Sequence, residues 1–298
     1  MSKRQLFESL PTEAVHPAAE NLDLLAPRKL LDLLAREDRV VVKAVHAEAA
    51  AIERAAKRLA TTLLRNGRVF YVGAGTSGRL GVLEAAECPP TFGTDPDRIV
   101  AIIAGGPEAV FRSKEGAEDR ADDAWHALRR YRLDSRDLVI GISASSVTPF
   151  VRESLVRSNG RGAGTILVTC GPRVRRLADV VIAPAVGPEL LAGSTRMKAG
   201  TATKLVLNQV TLLAMIRIGK VFGPHMVDLR PGSRKLRDRA LRIIASVAGV
   251  DRATAETLFV GAGRNVKTAV VMGRLAVSAG EARARLARAS GDLRAVLE

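Results

Sequence analysis

The 298-residue sequence contains two cysteines, four histidines and only 3% aromatic residues. Cys88 and Cys170 cannot build a disulfide framework. His16, His46, His126 and His225 are scattered, with no metal-ligand spacing, so no metal site is expected. So few aromatics leave few platforms for base stacking. With no zinc-finger, RNP or homeodomain pattern besides, a nucleic-acid partner is not expected. The opening run MSKRQLFESLPTEAVHP lacks the apolar core of a secretory signal. The longest apolar run, Leu205 to Ile218, is interrupted by Asn208, Gln209 and Arg217 and is too short to cross a bilayer. These absences lead to the expectation of a cytoplasmic chain with no membrane partner.

What is abundant is positive charge. Lys and Arg number 46 against 31 Asp and Glu, a net charge of +15, in a chain that is 47% hydrophobic and 26% charged. The hydrophobic fraction is that of a globular protein, and the length suits one large domain, alone or with a small appendage. Without a nucleic-acid motif, the basic excess reads as an arginine-rich surface suited to anionic small molecules.

Residues 1–45 read as a proline-punctuated arm and a short amphipathic helix at 27–36. An Ala-rich helix over 45–65 ends at Asn66-Gly67. Five short apolar, β-branched segments follow, at 68–73, 99–104, 138–142, 165–169 and 180–183, separated by helical stretches. Continuous apolar strands alternating with helices predict an α/β fold, a parallel five-stranded sheet covered on both faces. Ligands of such sheets sit at the carboxyl ends of the strands. From Gly193 the pattern turns helical, with a long helix over 195–219 capped by Ser194 and Thr195, then 234–248. Shorter helices follow at 251–260, 263–271 and 281–288, with Asp251 and Ser278 as N-caps. The expected division is an arm at 1–45, an α/β domain at 46–245 and a small helical domain at 246–298.

The first strand runs into Gly73-Ala-Gly-Thr-Ser-Gly-Arg79. Backbone amides of Gly75 to Gly78 at a helix start, with the hydroxyls of Thr76 and Ser77 and the cation of Arg79, suit a phosphate. A Rossmann dinucleotide loop also fits Gly73, Gly75 and Gly78, although no acidic residue ends the second strand. The third strand ends in a second hydroxyl-rich turn, with Ser143, Ser145, Ser146 and Thr148 before Pro149. Two such turns at neighbouring strand ends would surround one anionic group; singly, each Ser or Thr reads as a helix cap. Glu84 and Glu87 lie on the helix after the first loop, and Cys88-Pro-Pro90 is expected to stop that helix just past Glu87. One of Glu115, Glu118 or Asp119 could enter the same cleft, and two carboxyls beside a sugar phosphate would suit proton transfer. Arg196 and Lys198 are cations early in a helix, where the dipole disfavours them, which suggests a bound anion.

The runs Gly73–Gly81, Glu87–Gly93, Glu115–Asp119, Gly193–Thr201 and Gly219–Gly223, in this order, resemble the N-acetylmuramic acid 6-phosphate etherase family of the sugar isomerase (SIS) superfamily. Glucokinase regulatory protein, a non-enzymatic relative, shares part of the pattern. The resemblance implies an SIS-type sheet with a small UBA-like helical domain, a homodimer, and no cofactor. It also implies cleavage of the D-lactyl ether of N-acetylmuramic acid 6-phosphate, by elimination and then addition of water. By place in the motifs, Glu87 resembles the proton donor to lactate and Glu118 the second catalytic carboxylate, read as the base. Gly75 to Arg79, Ser143, Ser145, Ser146, Thr148, Ser194, Thr195 and Lys198 are the implied binding residues. The sequence departs from the family pattern at His16-Pro17, Ser146-Val147, Gly223-Pro224 and Gly232-Ser233. The alternatives are a sugar-phosphate-binding regulator or a lyase acting on a related sugar phosphate.

Overall fold

Strand β1, Val69–Gly73, is buried along its whole length and pairs in parallel with β2 (Ile99–Ile103) on one side and β3 (Leu138–Ile142) on the other. Strands β4 (Gly164–Val168) and β5 (Val180–Ile182) extend the sheet in the order β2-β1-β3-β4-β5, all parallel. This is the α/β sheet that the five apolar segments predict. The computed structural model describes residues 10–298, so the first nine residues of the arm lie outside the described part.

The described chain divides into two compact units, residues up to Ala85 with Asp97–Thr211, and Ala86–Pro96 with Leu212–Glu298. In the first, helices α1 (Pro27–Ala47) and α2 (Ala49–Leu64) precede the sheet. Helix α3 (Gly75–Phe92) follows β1, α4 (Ala121–Arg130) follows β2, and α5 (Pro149–Gly160) follows β3. Phe70, Val72 and Val139 of the sheet pack with Trp125 and Leu128 of α4 and with Phe150 and Leu155 of α5. A Cβ at Gly141 would stand 2.8 Å from Val151 Cγ1 and 2.9 Å from Leu155 Cδ1, so the missing side chain is what lets α5 lie against β3.

Two helix boundaries differ from the sequence reading for identifiable reasons. The first helix does not end at 36, because Val41 and Val45 continue its apolar face into the core, and it breaks only at Glu48. Nor does the proline pair stop α3 before Pro89; the helix runs on to Phe92 with Pro89 and Pro90 in its last turns. Proline's fixed φ is helical, and near a C-terminus few intrahelical bonds remain to be lost.

Helix α6 (Lys198–Arg217) begins three residues later than expected. By length and composition it could cross a membrane, but 56% of its most apolar window is buried within the protein. Its Asn208 donates to Glu84 at 2.8 Å, and its Thr211 shares a 3.0 Å hydrogen bond with the buried Tyr71 hydroxyl.

In the second unit a two-stranded hairpin, β6 (Val221–Phe222) and β7 (His225–Met226), turns at Gly223-Pro224 and was not visible in the strand pattern. Helices α7 (Arg234–Ala248), α8 (Arg252–Gly261), α9 (Val266–Leu275), α10 (Ala279–Arg288) and α11 (Leu293–Leu297) follow. Ile244, Phe259, Val270 and Leu286 close their common core. Asp251 and Ser278 cap α8 and α10 as the sequence predicts, accepting from Thr254 N and Glu281 N at 2.7 and 3.2 Å.

Candidate active site

Gly73, Ile103 and Ile142 stand side by side in the register of the three central strands. The loops leaving them therefore converge on one edge of the sheet, where they line a cavity of about 280 Å³. The β1 loop contributes Gly75, Thr76, Ser77 and Arg79, the β3 loop Ser145 and Thr148, and the segment before α6 Gly193 and Thr195. From the segment after β2 come Ser113, Lys114, Glu115 and Glu118, but not Asp119.

The β1 loop is tight because two glycines face each other. A Cβ on Gly78 would lie 2.7 Å from the Gly73 carbonyl oxygen and 2.6 Å from Ile103 Cγ1. Gly78 thus shapes the loop from behind rather than lining the cavity, and Gly75, at φ +52°, lets α3 start directly off the strand. The first amides of a helix have no intrahelical acceptor, so those of Gly75, Thr76 and Ser77 are available to an anion beside the Thr76 and Ser77 hydroxyls, whereas Gly78 N donates to the Ala74 carbonyl at 3.1 Å. Arg79 donates through Nε to the Val110 carbonyl at 2.8 Å, which ties the β2 loop to the β1 loop.

The β3 turn is held from within. Ser143 Oγ and Thr148 Oγ1 share a 2.8 Å hydrogen bond, and Thr148 makes no side-chain cap to α5. Ser143 is therefore a support for Thr148 rather than part of the cavity wall. Ser146 is buried at φ +64° with its hydroxyl unpartnered, a conformation that non-glycine residues adopt at a cost of about 1–3 kcal/mol. It too stands behind the cavity, while its carbonyl accepts from Arg152 at 3.2 Å.

Glu118 is half-buried on a short 3₁₀ turn, Ala117–Asp119, anchored by buried Ala117 and entered through Gly116 at φ +73°. Glu87 is exposed on α3, in the stretch Ala86–Pro96 that belongs to the second unit.

Ser194 and Lys198 are not on the cavity wall, and the anion expected opposite Lys198 is supplied by the protein itself. The buried Glu189 carboxylate accepts from Lys198 N and Ala199 N, both at 2.9 Å, and so caps α6 in place of Ser194 and Thr195. The Lys198 ammonium meets Glu37 at 2.8 Å, and Glu37 also meets His16 at 3.1 Å and Arg36 at 3.5 Å. Burial pushes the Glu37 carboxyl up, but the hydrogen bonds and charges of Lys198 and His16 outweigh it and hold the group below the usual carboxylate range. Glu13 is a cavity residue that the sequence does not announce. It follows the buried Leu10 and Thr12, and its Oε2 would be 3.3 Å from a Cβ on Gly193. Cys170 is no nucleophile, since burial and then Glu189 push its thiol up to about 12.

Comparison with known proteins gives this arrangement its family. An N-acetylmuramic acid 6-phosphate etherase of Synechococcus elongatus is 47% identical over 290 residues, covering 97% of this chain and 94% of its own. The chain belongs to the N-acetylmuramic acid 6-phosphate etherase family. Other etherases agree: that of Rhodopirellula baltica is 45% identical over 293 residues, covering 98% of this chain and 97% of its own. The glucokinase regulatory protein N-terminal SIS domain matches residues 51–159, a stretch that holds the β1 and β3 loops and Glu118. A solved phosphoheptose isomerase from Francisella tularensis aligns with a TM-score of 0.48 at 14% identity, covering 65% of this chain and all of that one. The etherase relatives span the second unit as well as the first, whereas the regulatory-protein match does not reach past 159.

Proposed function

We propose that the protein is a carbon–oxygen lyase that cleaves the D-lactyl ether of N-acetylmuramic acid 6-phosphate, giving N-acetylglucosamine 6-phosphate and D-lactate. The observation that carries the reading is the convergence of two hydroxyl-rich loops and Glu118 on one cavity, in a chain of the etherase family. The amides of α3, Thr76, Ser77, Ser145 and Thr148 would hold the phosphate. In the open-chain sugar, the C1 aldehyde acidifies the proton on C2, which Glu118 removes as base. The electron pair forms the C2–C3 double bond as the C3–O bond to lactate breaks, and Glu87 gives that oxygen its proton. Water then adds across the double bond, its oxygen to C3 and a proton to C2. Lactate alkoxide is a poor leaving group, so both carboxyl roles are needed.

The reading extends to a cytoplasmic homodimer. Leu212, Leu213 and Ile216 form an exposed apolar stretch on the last turns of α6, the kind of surface a second copy would cover.

The test is lactate release from N-acetylmuramic acid 6-phosphate. Wild type should release it, and Glu118→Gln should lower kcat by about 10²–10⁴ while calorimetry still detects N-acetylglucosamine 6-phosphate. Wild-type binding without any lactate would select the regulator instead.

A further inference from the structure

The opposite edge of the sheet holds a second and larger cavity, about 800 Å³, within the size range of small-molecule sites. It lies at the amino ends of β3, β4 and β5, lined by their approach residues and by one face of α2. Strands of five residues are about 16 Å long, so this cavity is separate from the loops at the carboxyl edge.

Its charge is one-sided. Among the described residues, Arg54, Lys57, Arg58, Arg65 and Arg136 line it, against Asp137 and Asp179. Both acids are already engaged. Asp137 accepts from Arg68 Nη2 at 2.7 Å, and from the amides of Arg68 and Asp134 at 2.8 and 3.0 Å. Asp179 meets Arg58 at 3.3 Å and accepts from Thr165 N at 2.9 Å. Arg136 is neutralised from outside by Asp134, whose carboxyl it holds down to about 2. Arg54, Lys57 and Arg65 have no ion-pair partner among the described residues.

Cations are favourable near a helix C-terminus, which accounts for Arg65 at the end of α2. It does not account for Arg54 and Lys57, which lie well before the last turn. They stand three residues apart, so two unpaired like charges share one helix face, which is destabilising when nothing sits between them. A multiply charged anion would reverse the sign of that interaction. No aromatic side chain among the described residues lines the cavity, so none of them would stack on a base. Ser135, Thr61 and Asn159 instead offer neutral hydrogen-bond donors.

We propose that this cavity is a binding site for a compact polyphosphate anion, recognised through its phosphates by Arg54, Lys57 and Arg65, and distinct from the site of lactyl-ether cleavage. The source can be free polyphosphate or the phosphate end of a nucleotide.

Calorimetry on the full-length protein tests it, with inorganic tripolyphosphate, ATP and adenosine as separate probes. One tripolyphosphate should bind per chain, and weaken by about tenfold or more in the exposed-site variant R54Q/K57Q/R65Q. The loop variant Ser77→Ala/Ser145→Ala, which touches only the carboxyl-edge cavity, should bind it like wild type. ATP matching tripolyphosphate, with adenosine silent, supports recognition through phosphate alone. The proposal is overturned if binding survives the triple variant, if the loop variant abolishes it, or if adenosine binds as well as ATP. A single-stranded oligonucleotide binding where tripolyphosphate does not would overturn it in favour of nucleic acid. None of these readouts depends on lactate release, so failure of the lyase reading would leave the test intact.

Discussion

Replacing Lys198 by Met separates two roles that its place in the sequence leaves open. The ammonium is 5% exposed and pairs at 2.8 Å with Glu37, itself 9% exposed. Methionine keeps most of the volume and removes the charge, leaving a buried carboxylate with one histidine and the more distant Arg36 guanidinium. Breaking a buried pair from one side costs about 3–5 kcal/mol, because the remaining charge is uncompensated. For units of this size each kcal/mol moves the melting temperature by about 2–4 °C, so Lys198→Met should melt about 6–20 °C lower at pH 7.

The pH dependence carries the mechanism. In wild type Glu37 sits below its ordinary value of 4.5, so its stabilisation is complete above that value and is lost as pH falls beneath it. In the variant, burial acts without Lys198 and raises the carboxyl. The penalty is then greatest at neutral pH and fades as Glu37 takes up a proton. Melting curves of both proteins from pH 7 to pH 4 should therefore converge towards acid. The double variant Glu37→Leu/Lys198→Met should regain most of the loss, since an apolar pair strands no charge. Unchanged melting together with about tenfold weaker N-acetylglucosamine 6-phosphate binding would refute the argument and make Lys198 a substrate ligand.

Gly78→Ala puts a Cβ 2.7 Å from the Gly73 carbonyl oxygen and 2.6 Å from Ile103 Cγ1, so the β1 loop must shift. A displacement of this kind should lower lactate release by about 10²-fold with the far-ultraviolet circular dichroism unchanged; wild-type turnover would show that the loop tolerates it. Cys170, with its thiol pushed up to about 12, should resist iodoacetamide at pH 8 until denaturant is added. Mass spectrometry of the native protein finding Cys170 alkylated would contradict the burial argument.

Sheet and loops were legible because their signals are local. Each strand is a run of apolar residues read without reference to any other, and the hydroxyls of Thr76, Ser77, Ser145 and Thr148 follow directly from strand ends. Helix limits were less legible where a local rule met a tertiary one. Val41 and Val45 keep α1 going because they reach the core, and Pro89-Pro90 sit where α3 has few bonds left to lose.

The cations were misread for a different reason. Lys198 against a helix dipole correctly implied an anion, but its partner Glu37 is 161 residues away in sequence, and the amides are capped by Glu189. Glu13 reaches the cavity by the same kind of distant approach. Arg237 pairs with Glu256, and Arg242 with Asp238 one helical turn away. A basic residue in sequence is therefore a question about which acid, near or remote, folding brings to it. At Lys198, Arg237 and Arg242 the described structure supplies one. Arg54 and Lys57 of α2, and Arg65 at its end, have none among the described residues, and they face a cavity whose acids, Asp137 and Asp179, are already bonded.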